Sequence, residues 1–178
     1  MTLLIDAWRY TLTHLDEFSQ AVFDHLFILG ASLGIAILIC LPLAILTSRK
    51  HHLSENLVNV IAGIRVIPSL AILFLVVPYL GLGTKAAIFA LTILAMPPIF
   101  INTTVSLQTI DPAILEAGRG MGMSPAQIFC QVEAPLALPV ILAGIQTSAV
   151  EVTASATLAA FVGSGGLGIY ITRGFAQY

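Results

Sequence analysis

Five residues in the C-terminal third of the chain, Gly144, Thr147, Ser148, Glu151 and Ser155, recur at intervals of three and four. That spacing places them on one face of a helix. The stretch that holds them, residues 136–162, is otherwise largely apolar, and a carboxylate in such surroundings is a functional candidate by default. It could attract a passing cation, or pair with a basic side chain such as Arg65 purely for assembly. A second pattern, GSGGLG at residues 163–168, spells G-x-G-x-x-G. In a dinucleotide fold that pattern follows a strand, opens a helix and is answered by an acidic residue about 20 positions later. Here it follows a long apolar run and no acidic residue comes after it, and no G-x-x-x-x-G-K-[ST] stretch occurs anywhere. The glycines instead fit a tight turn with positive φ or a close backbone approach. His51 and His52 are adjacent, about 100° apart on a helix and poor joint ligands, and read as a solvated loop pair. Cys40 and Cys130 suggest neither a disulfide nor a metal site, and each reads as a small buried hydrophobe.

The elements that position these residues belong in a bilayer. The 178 residues are 58% hydrophobic and only 9% charged, with a mean hydropathy of +1.00, where a soluble domain carries about a quarter charged residues. A net charge of -2 gives no basic field for nucleic acid. A membrane helix needs about 20 mostly apolar residues, and four runs supply them: residues 26–46, 57–81, 86–107 and 136–162. Arg65 lies near the start of the second, where it either snorkels to a membrane surface or takes part in gating. Pro97 and Pro98 predict a bend in the third. Asn102, Thr103 and Thr104 then either line a gate or hydrogen-bond back to carbonyls near those prolines. Residues 1–25 read as an external segment without a cleaved signal, because no cationic stretch leads into an apolar one. The whole of residues 1–178 reads as a single transmembrane domain.

Residues 108–135 form the longest connection between apolar runs, and their punctuation predicts a helical hairpin at the membrane surface. Asp111 and Pro112 open a first short helix that Gly120 and Gly122 end. Ser124 and Pro125 open a second, which Pro135 is expected to close. The cationic cluster containing Arg49 and Lys50 favours a cytoplasmic first loop. The hairpin, with Arg119, then lies on the same side, and the N-terminus, Lys85 and Arg173 lie outside.

Glu116, Ala117, Gly118, Gly122, Val132, Ala134 and Pro135 together resemble the E-A-A-x3-G-x9-I-x-L-P loop of binding-protein-dependent ABC importer permeases. Gly118, Val132 and Ala134 depart from that pattern while staying small or apolar. The stretches IPSLAILFLVVPYLGLGT, DPAILEAGRGMGMSP, PLALPVILAGIQTSAV and ATLAAFVGSGGLG are similar to permeases of the osmoprotectant branch, which import glycine betaine, carnitine, choline and related quaternary amines. The resemblance implies an all-α polytopic bundle of the type I ABC importer permease kind, with four spans visible and a fifth C-terminal helix missing after the glycine loop. It implies a multi-pass protein of the bacterial inner membrane, with no catalytic or metal site and no cofactor of its own. ATP and Mg would be bound by a partner cytoplasmic ATPase. The other partners would be a second permease subunit, identical or paralogous, an external substrate-binding protein, and membrane lipid. Coupling to the ATPase would fall to Glu116, Ala117, Gly118, Gly122, Met123, Ser124 and Pro125, with Ile128, Phe129 and Val132 laid against the partner's groove. The translocation pathway would take Thr147, Ser148, Glu151 and Ser155. With a single Trp, at position 8, and no aromatic cluster in the spans, a cage for quaternary amines would belong to the binding protein. Two alternatives stand beside this one: a permease for methionine or another amino acid, and a secondary transporter that needs no ATPase. The latter often carries inverted repeats, and no convincing internal repeat is found.

Overall fold

The computed structural model describes residues 2–176, with side chains from residue 7 onward except that of residue 51. Among the described residues the regular structure is helical: α1 (Thr2–Thr13), α2 (Leu15–Ser48), α3 (His51–Gly63), α4 (Ser69–Leu80), α5 (Thr84–Gln108), α6 (Pro112–Gly120), α7 (Pro125–Ile128), α8 (Ala134–Leu158) and α9 (Ile169–Ala176). Short 3-10 turns cover Ile64–Val66 and Ala159–Val162, and a π-turn covers Phe129–Glu133. His51 and His52 open α3 and do not sit in a loop; the His51 side chain lies outside the described ones.

Among the described residues, three helical stretches are long and apolar enough to cross a membrane: Leu15–Ser48, Thr84–Gln108 and Pro125–Val162. A fourth crossing exists only if the helices on either side of Ile67 and Pro68 are counted as one broken span. The break follows from the proline. A residue before Pro is pushed out of the helical region, and Ile67 is extended, at φ -81° and ψ 124°.

Pro97 and Pro98, by contrast, do not interrupt α5. The two missing N–H groups would have bonded the Ile93 and Leu94 carbonyls, and side chains meet the carbonyls that follow these in the same stretch. Asn102 Nδ2 donates to the Pro98 carbonyl at 2.8 Å and Thr103 Oγ1 to that of Ile99 at 2.7 Å. From other helices, Ser148 Oγ reaches the Ala95 carbonyl at 2.8 Å and the Cys40 thiol that of Met96 at 3.7 Å. Hydrogen bonding back to the backbone is therefore what Asn102 and Thr103 do.

Pro135 does not close the second hairpin helix either. Helical structure runs from Pro125 through the π-turn into α8, because the Ala134 N–H donates five residues back, to the Phe129 carbonyl. The register slips by one residue just where a proline would otherwise remove an i→i−4 bond. The hairpin is thus one short helix followed by the leading end of the last span.

The chain divides into two compact units. One comprises the chain up to Ser32, Ser69–Leu91, and the chain from Val152 onward. Its core holds Ile28, Leu73, Ala87, Ala90, Leu91, Val152 and Val162. The glycine loop behaves as a tight turn: Gly163, Gly165 and Gly166 have φ of 75°, 80° and 76°. A side chain at Gly166 would press on His25, and one at Gly168 would collide with the Thr157 carbonyl. Gly83 N–H donates to the Val162 carbonyl at 2.7 Å, and Arg173 Nη1 pairs with Glu17 Oε2 at 3.0 Å, which ties α9 to α2.

The other unit comprises Leu33–Pro68 and Thr92–Glu151. Ala36, Cys40, Ala44, Ala95, Ile99, Phe100 and Ser148 are fully buried there. Small residues dominate because lipid is as apolar as a core, so membrane helices gain from close approach more than from burying large side chains. At Gly144 the approach is closest: an added Cβ would lie 2.7 Å from Asn102 Cβ and 2.8 Å from the Pro98 carbonyl oxygen.

Candidate functional site: a capped hairpin and an ion pair on the last span

The hairpin is built by capping. Asp111 accepts a hydrogen bond from the Ala113 N–H at 2.9 Å and Pro112 occupies the first helical position. Gly122, at φ 79°, lets the chain reverse, and the Met123 N–H returns to the Gly118 carbonyl at 3.2 Å. Ser124 and Gln127 then form a reciprocal capping box, Gln127 N–H to Ser124 Oγ at 3.3 Å and Ser124 N–H to Gln127 Oε1 at 2.8 Å. Two otherwise orphaned amides are satisfied in one exchange.

The hairpin's two sides have different roles. Gly118 and Ile128 are buried, and a Cβ at Gly118 would sit 3.4 Å from Ile128 Cγ1 and 3.5 Å from Met123 Sδ. Ile128 thus packs inside the hairpin and is not free to fill a partner's groove; Phe129 and Val132 are half-buried, and Met123 is turned inward. Glu116, Ala117, Gly122, Ser124 and Pro125 are exposed, as are the apolar side chains of Ile114 and, at 75%, Met121. Sequence reading passed over Met121 in favour of Met123. The two straddle the positive-φ glycine, and only the direction of that turn separates them.

Behind the hairpin lies a cavity of about 480 Å³ lined by Ser48, Arg49, Leu115, Arg119, Met123, Ile128 and Glu133, among others. Arg49 Nη2 pairs with Glu133 Oε2 at 3.0 Å across its edge, and Gln108 Nε2 donates to the Ser48 carbonyl at 3.0 Å and to Ser54 Oγ at 2.7 Å. The cationic end of α2 and the base of the hairpin are therefore one structure. Residues 84 apart carry that ion pair, and no local pattern announces it. Cys130 is exposed, contrary to its reading as a buried hydrophobe, because it lies on the outer side of the π-turn; Cys40 is buried.

The five residues singled out on the last span separate into two edges. Gly144 and Ser148 are buried against α5. Thr147 is exposed, with its hydroxyl donating to the Ala143 carbonyl at 2.9 Å, and Glu151, one turn on, is part-exposed, as is Ser155. Glu151 Oε1 accepts from Arg65 Nη2 at 2.8 Å, with the side chains 38% and 50% exposed. Arg65 sits in the 3-10 turn just ahead of the break at Ile67 and Pro68. Among the described residues no group of three or more His, Cys, Asp or Glu is placed to hold a metal.

This helical architecture is that of a type I ABC importer permease. It is similar to a chain of the inward-facing MetNI methionine ABC transporter, with a TM-score of 0.77 and 26% identity over 88% of this chain and 79% of that one. Residues 36–178 match the family described as binding-protein-dependent transport system inner membrane component, and the chain belongs to it. Its relatives include the carnitine transport permease protein OpuCB of Listeria monocytogenes, 42% identical over 87% of this chain and 71% of that protein. Another is the choline transport system permease protein OpuBB of Bacillus subtilis (strain 168), 36% identical over 96% and 78%. The resemblance to osmoprotectant permeases drawn from the hairpin and its flanking stretches is borne out.

Proposed function

We propose that the chain is the permease subunit of an ATP-driven importer of osmoprotectants, quaternary amines such as glycine betaine, choline or carnitine, in the bacterial cytoplasmic membrane. The observation that carries this reading is the similarity, over most of the chain, to permeases named for carnitine and choline transport. A cytoplasmic ATPase, which binds ATP and Mg, docks on the hairpin; a second permease subunit completes the pathway; an external binding protein delivers the substrate. The exposed crest of Glu116, Ala117, Met121, Gly122, Ser124 and Pro125 is the contact surface. Gly118 and Met123 support it from within, so that the capped hairpin moves as a rigid body when the ATPase closes. Thr147, Glu151 and Ser155 border the pathway, with Ser148 behind them at the packed edge.

Reconstitution tests this reading. The permease, its co-purifying ATPase and the binding protein in proteoliposomes should take up labelled glycine betaine, choline or carnitine when ATP is supplied. Glu116→Arg should abolish uptake and substrate-stimulated ATP hydrolysis together. Unchanged uptake in that variant would remove the hairpin from coupling. Uptake of methionine instead of any quaternary amine would favour the amino-acid reading that the likeness to the methionine transporter supports.

A further inference from the structure

We propose that Arg65 and Glu151 form a charge-exchange site for a zwitterion, in which the substrate's carboxylate takes the place of Glu151 on Arg65 and its quaternary ammonium the place of Arg65 on Glu151. The proposal rests on the importer reading above and adds to it a basis for choosing among quaternary amines. A compound carrying both charges is preferred over one carrying the cation alone.

Three observations support it. The pair is closed at 2.8 Å through a single nitrogen and a single oxygen, and the remaining donors of Arg65 and the second oxygen of Glu151 make no other hydrogen bond or ion pair among the described residues. A guanidinium has five N–H donors in a fork suited to a carboxylate, so most of its capacity is unused. Both side chains are part-exposed on the protein's surface, at 50% and 38%. A charge pair in a membrane-spanning bundle faces water or another protein surface and avoids hydrocarbon. Arg65 also stands at the irregular turn before Pro68, where Val66 is 84% exposed. Non-helical backbone at membrane depth is tolerated where it lines a cavity or is covered by protein.

The chemistry of exchange follows. A part-exposed ion pair contributes only about 0–1 kcal/mol, so opening it costs little. A ligand bearing one positive and one negative group, such as glycine betaine or carnitine, leaves both protein charges matched. Choline has no carboxylate, and its ammonium on Glu151 would leave Arg65 unpaired. A permanent cation without N–H groups also cannot hydrogen-bond to Glu151. Its attraction is Coulombic, and the directional part of recognition falls to Arg65.

Uptake of labelled glycine betaine and of choline by the reconstituted transporter, with wild-type permease and the Arg65→Gln, Arg65→Lys and Glu151→Gln variants, tests this. Loss of one charge-assisted contact predicts that Arg65→Gln lowers kcat/KM for glycine betaine about tenfold relative to that for choline. Arg65→Lys, which keeps the charge, should retain most of the preference and control for misfolding. Glu151→Gln should weaken both substrates. Equal effects of Arg65→Gln on the two substrates, or no effect on either, would overturn the exchange site while leaving the importer reading intact. A wild-type protein that carries neither compound would overturn the importer reading and the exchange site with it.

Discussion

The Ser148 hydroxyl on α8 donates to the main-chain carbonyl of Ala95 on α5 at 2.8 Å, and Ser148 is fully buried. Ala95 stands two residues before Pro97, in the turn where α5 lacks part of its own hydrogen bonding. The bond is an assembly contact. Interhelical side-chain hydrogen bonds in membranes average about 0.6 kcal/mol, so Ser148→Ala should lower the thermal unfolding midpoint in detergent only slightly and leave uptake unchanged. Lost uptake at unchanged stability would instead give Ser148 a direct part in translocation.

Gly144 and Gly118 make opposite predictions for the same substitution. At Gly144 an alanine meets the Pro98 carbonyl oxygen at 2.8 Å, and backbone cannot rotate away. Overpacking of this kind costs about 1–3 kcal/mol. At Gly118 the nearest atoms are Ile128 Cγ1 at 3.4 Å and Met123 Sδ at 3.5 Å, ordinary van der Waals contact that leaves room for a methyl group. Gly144→Ala should therefore destabilise the folded protein clearly, while Gly118→Ala should be close to neutral. Thermal unfolding of the two purified variants side by side checks this, and a neutral Gly144→Ala would mean that α5 and α8 can separate at no cost.

The capping box at Ser124 is worth about 1 kcal/mol by the usual range for N-caps. Ser124→Ala removes the acceptor from the Gln127 N–H, so exchange of that amide with deuterium should accelerate about fivefold if the start of the helix frays by that much. Amides of α8 beyond the π-turn should be unaffected, because the helix carries on through the π-turn, where the Ala134 N–H bonds the Phe129 carbonyl without using Ser124. Faster exchange throughout α8 would show that the hairpin and the span unfold as one unit.

The parts of this architecture written in local chemistry could be read without coordinates. Asp111, Pro112, Gly122, Ser124 and Pro125 each act within four residues of themselves, and their caps and turn stand where their types and spacing put them. The apolar runs gave the membrane helices for the same reason, since hydropathy needs no partner. Prolines were harder. Pro68 breaks its run, with Ile67 extended before it, whereas Pro97 and Pro98 stay within α5 and Pro135 follows a π-turn that carries the helix on. The five polar and small residues on the last span share a helical face broadly, but which edge is buried depends on where α5 lies. Helical spacing fixes relative direction and leaves the neighbour unspecified, so Ser148 and Thr147 could not be told apart.

Arg49 and Glu133 offer a test of how the hairpin is held to the end of α2. Glu133 is only 13% exposed while Arg49 is 60% exposed, so the two partners are unequal. Removing the arginine strands a mostly buried carboxylate beside a cavity, whereas neutralising the glutamate leaves a guanidinium that water can reach. Arg49→Ala should thus cost more than Glu133→Gln, by about 1 kcal/mol, with the double variant recovering part of the loss. Thermal unfolding of the three variants gives the coupling energy. Because the carboxylate end is shielded, that coupling should persist at high salt, where a fully exposed pair would lose it. A coupling that vanishes with salt, or single variants of equal cost, would mean that the hairpin is held by Gln108 and its contacts to Ser48 and Ser54, with the ion pair an incidental surface contact.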